Sequence, residues 1–304
     1  MEQPVRADHA GIAPPPRRGS KRGKGAAPYF LILPGGVWLI VLFLIPLLTM
    51  LSLSLQTCNP GTGACVMTWH WGEFPEQLKL YHTQLLTSLY FAGAATLIDL
   101  AVSYPLAYWI AFYGGNRKNF FLLMLLVPFF VSFVIRTISW SFILSDQGFV
   151  LGTLKNLHLL PQNFHILATG WAVVAGLCYN YLPFTALPLY VAIERIDRKV
   201  IEAAHDLYAT RRESFLRVIL PLTIPGIFAA FLLTFVPAFG DYVNQQVLGG
   251  TNQTMIGTVI QNQFLVYLDY AGGSALSAVL LAIALIGIFA YSRVLGSRTI
   301  EEYL

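Results

Sequence analysis

Long apolar stretches alternate with short polar ones along most of the chain. Asp, Glu, Lys and Arg are absent from residues 25–72, 156–193, 218–240 and 270–292. Each stretch can hold a membrane-spanning helix, which needs about 20 apolar residues. Two further apolar runs contain one charged residue each, Asp99 and Arg136. The pattern predicts six transmembrane helices, at 30–55, 85–113, 120–144, 165–193, 218–239 and 274–292.

The composition supports a membrane protein. Of the 304 residues, 11% are charged and 56% are hydrophobic, whereas about 25% of the residues in an ordinary soluble domain are charged. A soluble protein cannot easily cover that much apolar surface. The composition argues against a cytosolic enzyme, a disordered protein and a disulfide-rich secreted module. We therefore predict an all-α, polytopic membrane protein.

The basic residues indicate which way the spans run. Sixteen of the 19 Lys and Arg residues lie before the first span, in the second and fourth connections, or in the tail. The positive-inside rule then places both termini and the loop 194–217 in the cytoplasm. We predict a basic arm at 1–28, a transmembrane domain at 29–295 and a short tail at 296–304. The arm is interpreted as a topology signal, with a contact to nucleic acid or acidic lipid as the alternative.

The cysteines and histidines do not form a metal-binding pattern. Cys58 and Cys65 lie in the first outward-facing connection, with Gly and Pro between them. Because the outside is oxidising, a disulfide is favoured, and two free thiols are the alternative. Cys178 lies within the fourth span, where we expect it to pack. Neither a metal site nor a cofactor is predicted.

The cytoplasmic loop 194–217 contains a short amphipathic helix. The apolar residues at helical spacing are Val200, Ala203, Ala204 and Leu207. Asp197 stands where a cap would start this helix, and a second short run at 211–218 leads into the fifth span. Together they form a helix–turn–helix projection. Its small residues permit close docking in a groove of a partner, and a helix lying against the chain's own spans is the alternative.

A residue pattern within this projection identifies a family. The pattern consists of Glu202, Ala203, Ala204, Asp206, Leu207, Ala209, Phe215, Leu220 and Pro221. It resembles the EAA loop of ABC-importer permeases, which docks in a cleft of the cytoplasmic ATP-binding subunit and transmits its closure. The resemblance implies that Glu202 faces polar or basic groups of a dimeric ATP-binding subunit. It also implies that Ala203 and Ala204 pack closely there, and that Phe215 anchors the loop to the fifth span.

Tyr208 departs from the family pattern, which has Gly at this position. That Gly allows a left-handed turn between the two short helices. A Tyr in the same backbone conformation costs about 1 kcal/mol or more. We expect either a turn of different construction or a Tyr208 side chain that packs against the partner.

Motifs within the spans resemble those of polyamine (spermidine/putrescine-type) permeases over residues 31–292. They lie at 127–137 with Trp140, at 179–190, and at 237–265. The resemblance implies a type I ABC importer permease fold in the bacterial inner membrane, with polyamine as the cargo. It also implies a second permease subunit and an extracytoplasmic binding protein docked over the loops 57–82, 145–164 and 241–273.

The chain has no phosphate-binding G-x-x-x-x-G-K-[ST] motif, so we expect no catalysis of its own and ATP hydrolysis on a separate partner. No nucleic-acid partner is predicted. A permease for another small organic solute and a self-contained secondary transporter are the alternatives. The secondary transporter would show internal repeats and more intramembrane charge.

Polar residues in or beside the spans are candidates for the substrate path. Asp241 and Tyr242 follow the fifth span, and together a carboxylate and an aromatic face attract ammonium groups. The alternative there is a capped helix end and a polar loop. The other candidates are Asn244, Asp99, Trp140 and Tyr179. Asp99 is interpreted either as a cation contact or as a neutral, hydrogen-bonded acid.

Arg136 has the wrong sign to bind a polyamine. We expect its side chain to pair with a carboxylate or to reach toward the outer headgroups.

Overall fold

The computed structural model describes residues 27–58 and 65–301. The arm predicted at 1–28 therefore lies almost wholly outside the described residues. Within the described part, five helices are long and apolar enough to cross a membrane, and one bent helix pair makes a sixth span. The chain divides into two units, Met1–Leu48 and Thr49–Leu304.

The described part of the first unit is helical and apolar. Helix α1 (Ala27–Leu39) continues through a π-helical turn (Ile40–Leu44) into α2 (Ile45–Leu53), which extends into the second unit. The candidate span is Ile32–Leu53, and none of it is buried within the chain. A helix that is apolar on every face is suited to a lipid environment.

The second unit carries the remaining elements. A hairpin of β1 (Gln56–Cys58) and β2 (Cys65–Met67) is followed by α3 (Glu73–Leu80). The later helices are α4 (His82–Tyr113), α5 (Lys118–Leu126), α6 (Phe133–Leu144), α7 (Phe149–Asn156), α8 (Gly170–Glu194), α9 (Arg198–Asp206), α10 (Arg211–Ser214), α11 (Leu220–Phe239), α12 (Val243–Leu248), α13 (Ile256–Leu265) and α14 (Tyr270–Glu301). Three 3₁₀ turns (Gly115–Arg117, Val127–Phe130 and Thr251–Gln253) and a π-helical turn (Phe215–Ile219) join some of them.

Helices α4, α8 and α11 form the core of this unit. The buried residues at their shared contact include Ala107, Leu189 and Ala230. A Cβ atom added to Gly226 on α11 would collide with the Cβ of Ala192 on α8, so only a glycine permits this approach. The Thr185 and Thr234 hydroxyls lie 2.6 Å apart across the same pair of helices. Small residues and hydrogen bonds between helices are the usual means of packing spans in lipid.

The third span is broken, which the sequence pattern did not predict. Its halves, Gly115–Phe130 and Phe133–Asn156, meet at an angle of 89°. Val131 and Ser132 between them have extended backbone, with ψ of 139° and 137°. Pro128 lies just before the break in a 3₁₀ turn and has no amide to donate. An apolar run of sufficient length therefore does not by itself ensure a continuous helix.

The expectation of a polar outer loop at 241–273 is wrong for its first part. This segment folds into α12, a 3₁₀ turn and α13. Asn244, Leu248 and Met255 are fully buried, so this stretch belongs to the protein interior. The tail at 296–304 stays a prediction, and α14 is helical as far as Glu301 within it.

Candidate functional site

Local hydrogen bonds fix both helices of the cytoplasmic projection. The Asp197 carboxylate accepts a bond from the Lys199 amide at 3.0 Å and caps α9, as predicted. At α10, the Thr210 hydroxyl accepts from the Glu213 amide while the Glu213 carboxylate accepts from the Thr210 amide. This reciprocal arrangement is a capping box. Both helices of the projection are therefore capped by residues within the projection itself.

Tyr208 occupies the left-handed turn that the family pattern reserves for glycine. Its φ is 64°, so the backbone conformation is the one a glycine would favour. Its side chain is 95% exposed and makes no compensating contact within the described chain. The amide of Ala209 donates to the Ala204 carbonyl at 3.0 Å and closes the turn. The turn thus keeps the expected geometry despite the conformational cost of Tyr208.

The apolar stripe of α9 is largely uncovered. Leu207 is 81% exposed, and Val200 and Ala203 are also exposed. The acidic Glu202 and Asp206 are exposed beside the stripe, and Ala204 is half-buried. A helix resting on its own spans would cover these apolar residues. The exposure favours the interpretation of the stripe as a docking face.

Phe215 connects the projection to the second span. Its ring packs edge-on against Tyr104 and Tyr108 of α4, with centroids 5.8 Å apart in each pair. The Tyr104 hydroxyl also lies 2.9 Å from that of Thr223 on α11. Phe215 begins the π-helical turn that continues into α11. Phe215, which was expected to anchor the projection to the fifth span, therefore contacts the second span as well.

A buried network of polar side chains lies at the end of α11. The Asn244 amide nitrogen of the backbone donates to Asp241 Oδ1 at 2.7 Å, and its side-chain Nδ2 donates to Asp241 Oδ2 at 3.0 Å. The Tyr181 hydroxyl donates to Asp241 Oδ2 at 2.9 Å. Asn180 Nδ2 donates to Asn244 Oδ1 and to the Thr137 hydroxyl, both at 3.0 Å. The network joins α6, α8 and α12 around Asp241.

Asp241 combines a structural role with an unusual environment. Its carboxylate holds the first turn of α12, which matches the helix-cap alternative from the sequence. Its two carboxylate oxygens accept hydrogen bonds from Asn244 and Tyr181. The side chain is only 5% exposed. A cation could therefore reach it only after a rearrangement of the network.

The network lies near mid-depth of the membrane. Asn180 is ten residues from Gly170 and fourteen from Glu194, the ends of α8, which corresponds to about 15 Å and about 21 Å of helix. The second half of the broken third span reaches this level, and the fifth span ends there. Transporter binding sites typically lie near the midplane where helices are discontinuous. This position makes the network the candidate substrate region.

The other predicted path residues take different positions. Trp140 on α6 and Tyr179 on α8 form an edge-on pair with ring centroids 5.3 Å apart. Tyr242 is 42% exposed beside the network. Asp99 lies on α4, is 1% exposed, and has no hydrogen-bond partner for either carboxyl oxygen among the described residues. Asp99 thus makes none of the hydrogen bonds of the network, and its polar neighbour is Cys178 on α8.

Two further features, the outer hairpin and the Asp146 ion pairs, lie outside the membrane core. The backbone pairing of β1 with β2 places Cys58 directly opposite Cys65. This register is favourable for a disulfide between them, which stays a prediction. Asp146, in the loop after α6, binds Lys155 Nζ at 2.8 Å and His165 Nδ1 at 2.5 Å. In the described part of the chain, no three His, Cys, Asp or Glu side chains are grouped so as to hold a metal.

Sequence reasoning missed Thr137, Asn180 and Tyr181 as members of the network. These neutral polar residues do not interrupt an apolar run as a charge does. The available signal was the run of polar and aromatic residues from Tyr179 to Tyr181 in the middle of a span. A buried Asn in lipid needs hydrogen-bond partners, so it points to a network.

Comparison with known proteins places the chain among transport proteins. Residues 84–298 match the family described as "Binding-protein-dependent transport system inner membrane component". The spermidine/putrescine transport system permease protein PotB of Haemophilus influenzae is 35% identical over 84% of this chain and 90% of its own. PotB of Escherichia coli K12 is 34% identical over 87% of this chain and 96% of its own length.

Solved structures show a similar fold. A chain of a bacterial ABC transporter that imports the polysaccharide alginate matches with a TM-score of 0.66. It is 19% identical and covers 88% of this chain and 95% of its own length. A second structure of an alginate ABC transporter, in complex with a pentasaccharide-bound periplasmic protein, also gives a TM-score of 0.66 at 18% identity, over 88% and 93%. At this identity the likeness concerns the fold alone.

Proposed function

The chain belongs to the family of binding-protein-dependent transport system inner membrane components and is a permease subunit of an ABC importer, and from this premise we propose that its cargo is a polyamine of the spermidine/putrescine class. The observation that carries the proposal is 34–35% identity to PotB proteins along nearly their whole length. The family match does not favour a self-contained secondary transporter. The aromatic and acidic residues near mid-depth are chemically suited to ammonium groups.

Three partners belong to this proposal. A dimeric ATP-binding subunit docks on the cytoplasmic projection through the stripe of α9. A second permease subunit supplies the other half of the pathway. An extracytoplasmic binding protein docks on the outer loops, where the last residue of α13 and the segment after it expose Leu265, Val266, Tyr267 and Leu268. ATP hydrolysis takes place on the first of these partners, and this chain transmits the resulting movement.

The cargo is tested by uptake into cells that express the complete importer. Radiolabelled spermidine and putrescine are offered separately, with an unlabelled excess of the other as competitor. We expect ATP-dependent accumulation of at least one of them, which ceases when the binding protein is omitted. An importer that assembles fully and accumulates neither polyamine above the vector control would show that the cargo is another solute.

The docking face is tested by charge reversal at Glu202. In Glu202→Arg, we expect recovery of the ATP-binding subunit with the purified permease to fall by about tenfold, the effect of losing about 1.4 kcal/mol at an interface. The matched control is Glu76→Arg, an exposed charge reversal on α3 at the opposite side of the membrane. Equal recovery in the two variants would contradict the assignment of the projection.

A further inference from the structure

An open cavity of about 480 Å³ lies at the break in the third span. Aromatic rings of Phe129, Phe133, Tyr181 and Phe184 form much of its wall. Arg136 lies among these rings, one turn into α6. The cavity therefore combines an apolar lining with a single cationic group in the membrane interior.

The Arg136 guanidinium has no counter-ion in the described part of the chain. Its side chain is 6% exposed, and its Nε and Nη1 atoms are buried without a hydrogen-bond partner. The guanidinium lies 4.8 Å from the centroid of the Phe129 ring and 5.8 Å from that of Phe133. Asp241 is the acid of the network, and its Oδ2 atom accepts from Tyr181 and Asn244 rather than from Arg136. Ring faces alone do not satisfy the donors of a buried guanidinium.

The start of α6 adds a second positive element to the cavity. Ser132 at the N-cap position lines the cavity, and its side chain makes no capping hydrogen bond. The first amides of any helix lack an intrahelical acceptor and carry the positive end of the helix dipole. Uncapped helix starts of this kind bind anionic groups, and half-helices do so within transporters.

We propose that this cavity is a carboxylate-binding site, filled in the assembled importer by an Asp or Glu side chain of the second permease subunit. The planar guanidinium suits a carboxylate, which can accept two parallel N–H bonds. Both positive elements then face one anion, and the buried donors of Arg136 gain the acceptors they lack.

The depth of the site argues for a protein carboxylate over a lipid headgroup. Thr137, the neighbour of Arg136, bonds to Asn180 near mid-depth. Headgroups lie about 15 Å away at the edge of a 30 Å hydrocarbon core. A cationic cargo is repelled by Arg136. The cavity rim is apolar and exposed, with Phe130 at 83%, as expected of a surface that a second membrane subunit covers.

The inference rests on the proposed second subunit, and its first test needs no cargo. The native Cys58, Cys65 and Cys178 are replaced by Ser in the complete importer, and Arg136→Cys is combined with a cysteine at each membrane-embedded acidic position of the second permease subunit. Oxidation with copper phenanthroline is expected to cross-link one of these pairs. If no acidic position cross-links, the proposal is overturned.

The second test follows transport. We expect Arg136→Gln to lower the uptake rate of radiolabelled spermidine by about tenfold or more, because it leaves the partner carboxylate buried and unpaired. Changing the cross-linked acid to its amide in the same importer is expected to restore uptake. The control is Ser139→Ala on α6, whose hydroxyl bonds only to the Ile135 carbonyl in the described chain and whose loss leaves uptake unchanged.

The outcomes separate the competing explanations. Wild-type uptake by Arg136→Gln would overturn the proposal. A requirement for anionic lipid in reconstituted vesicles, lost in Arg136→Gln, would overturn it in favour of a lipid phosphate. If spermidine is not the cargo, the unaltered importer fails to accumulate it while the cross-link still forms, so the two proposals fail separately.

Discussion

Replacing Gly176 by Ala tests whether the buried network is needed for transport. A Cβ atom at position 176 on α8 would collide with Leu248 and lie 2.8 Å from Asn244 Oδ1. Both neighbours are on α12 and are fully buried. The methyl group must therefore displace the Leu248 and Asn244 side chains or the whole of α12. Asn244 Oδ1 would then lose the bond from Asn180, which is 3.0 Å long in the unaltered protein.

The magnitude follows from three contributions. Overpacking a well-packed interior costs about 1–3 kcal/mol, and a lost hydrogen bond costs about 1 kcal/mol. The higher helix propensity of Ala offsets about 1 kcal/mol. The net cost is about 1–3 kcal/mol, which corresponds to a reduction of about fivefold to over a hundredfold in the correctly packed population.

The assay compares Gly176→Ala with Gly93→Ala in the complete importer. Gly93 also lies on a spanning helix, but a Cβ atom there would contact nothing within 4 Å. We expect Gly176→Ala to lower both the polyamine uptake rate in proteoliposomes and the thermal midpoint of the purified complex in detergent. Gly93→Ala is expected to change neither. If the two variants behave alike, the network does not control transport.

Three further predictions concern the projection and the outer hairpin. Phe215→Ala removes the contacts with Tyr104 and Tyr108. We expect the assembled importer to keep hydrolysing ATP while its uptake rate falls about tenfold. An equal loss of ATP hydrolysis and uptake would contradict a coupling role. Tyr208→Gly relieves about 1 kcal/mol of backbone strain without losing a packed side chain, so recovery of the ATP-binding subunit should stay within about twofold; a larger fall would place Tyr208 in the interface. Cys58 and Cys65 of the non-reduced protein should resist alkylation, as read out by mass spectrometry, until a reductant is added. Alkylation without reductant would show that the two thiols are free.

The membrane topology was largely predictable because it depends on composition over long windows. A long apolar stretch of about 20 residues can satisfy its backbone in lipid only as a helix, so the first, second, fourth, fifth and sixth spans appear in the sequence. The projection was also predictable, because Asp197 and Thr210 mark the starts of its helices locally. Its turn geometry agrees with the family even at Tyr208.

The break in the third span and the polar network depend on contacts between distant segments. Val131 and Ser132 belong to an apolar run that composition does not distinguish from a continuous helix. Asn180 and Asn244 are 64 residues apart in the chain, and only the packing of α12 against α8 brings them together. A pattern within one segment contains no information about such a partner.

The two candidate regions are mechanically continuous through the fifth span. The helix from Arg211 to Phe239 has 29 residues and is about 43 Å long. It begins in the projection and ends two residues before Asp241, so its two ends lie at the projection and at the polar network. Phe215 and Thr223 attach its cytoplasmic part to α4. If the projection moves with the ATP-binding subunit, as proposed, we expect α11 to tilt about these contacts and to displace Asp241, which bonds to Tyr181 and Asn244 in the network.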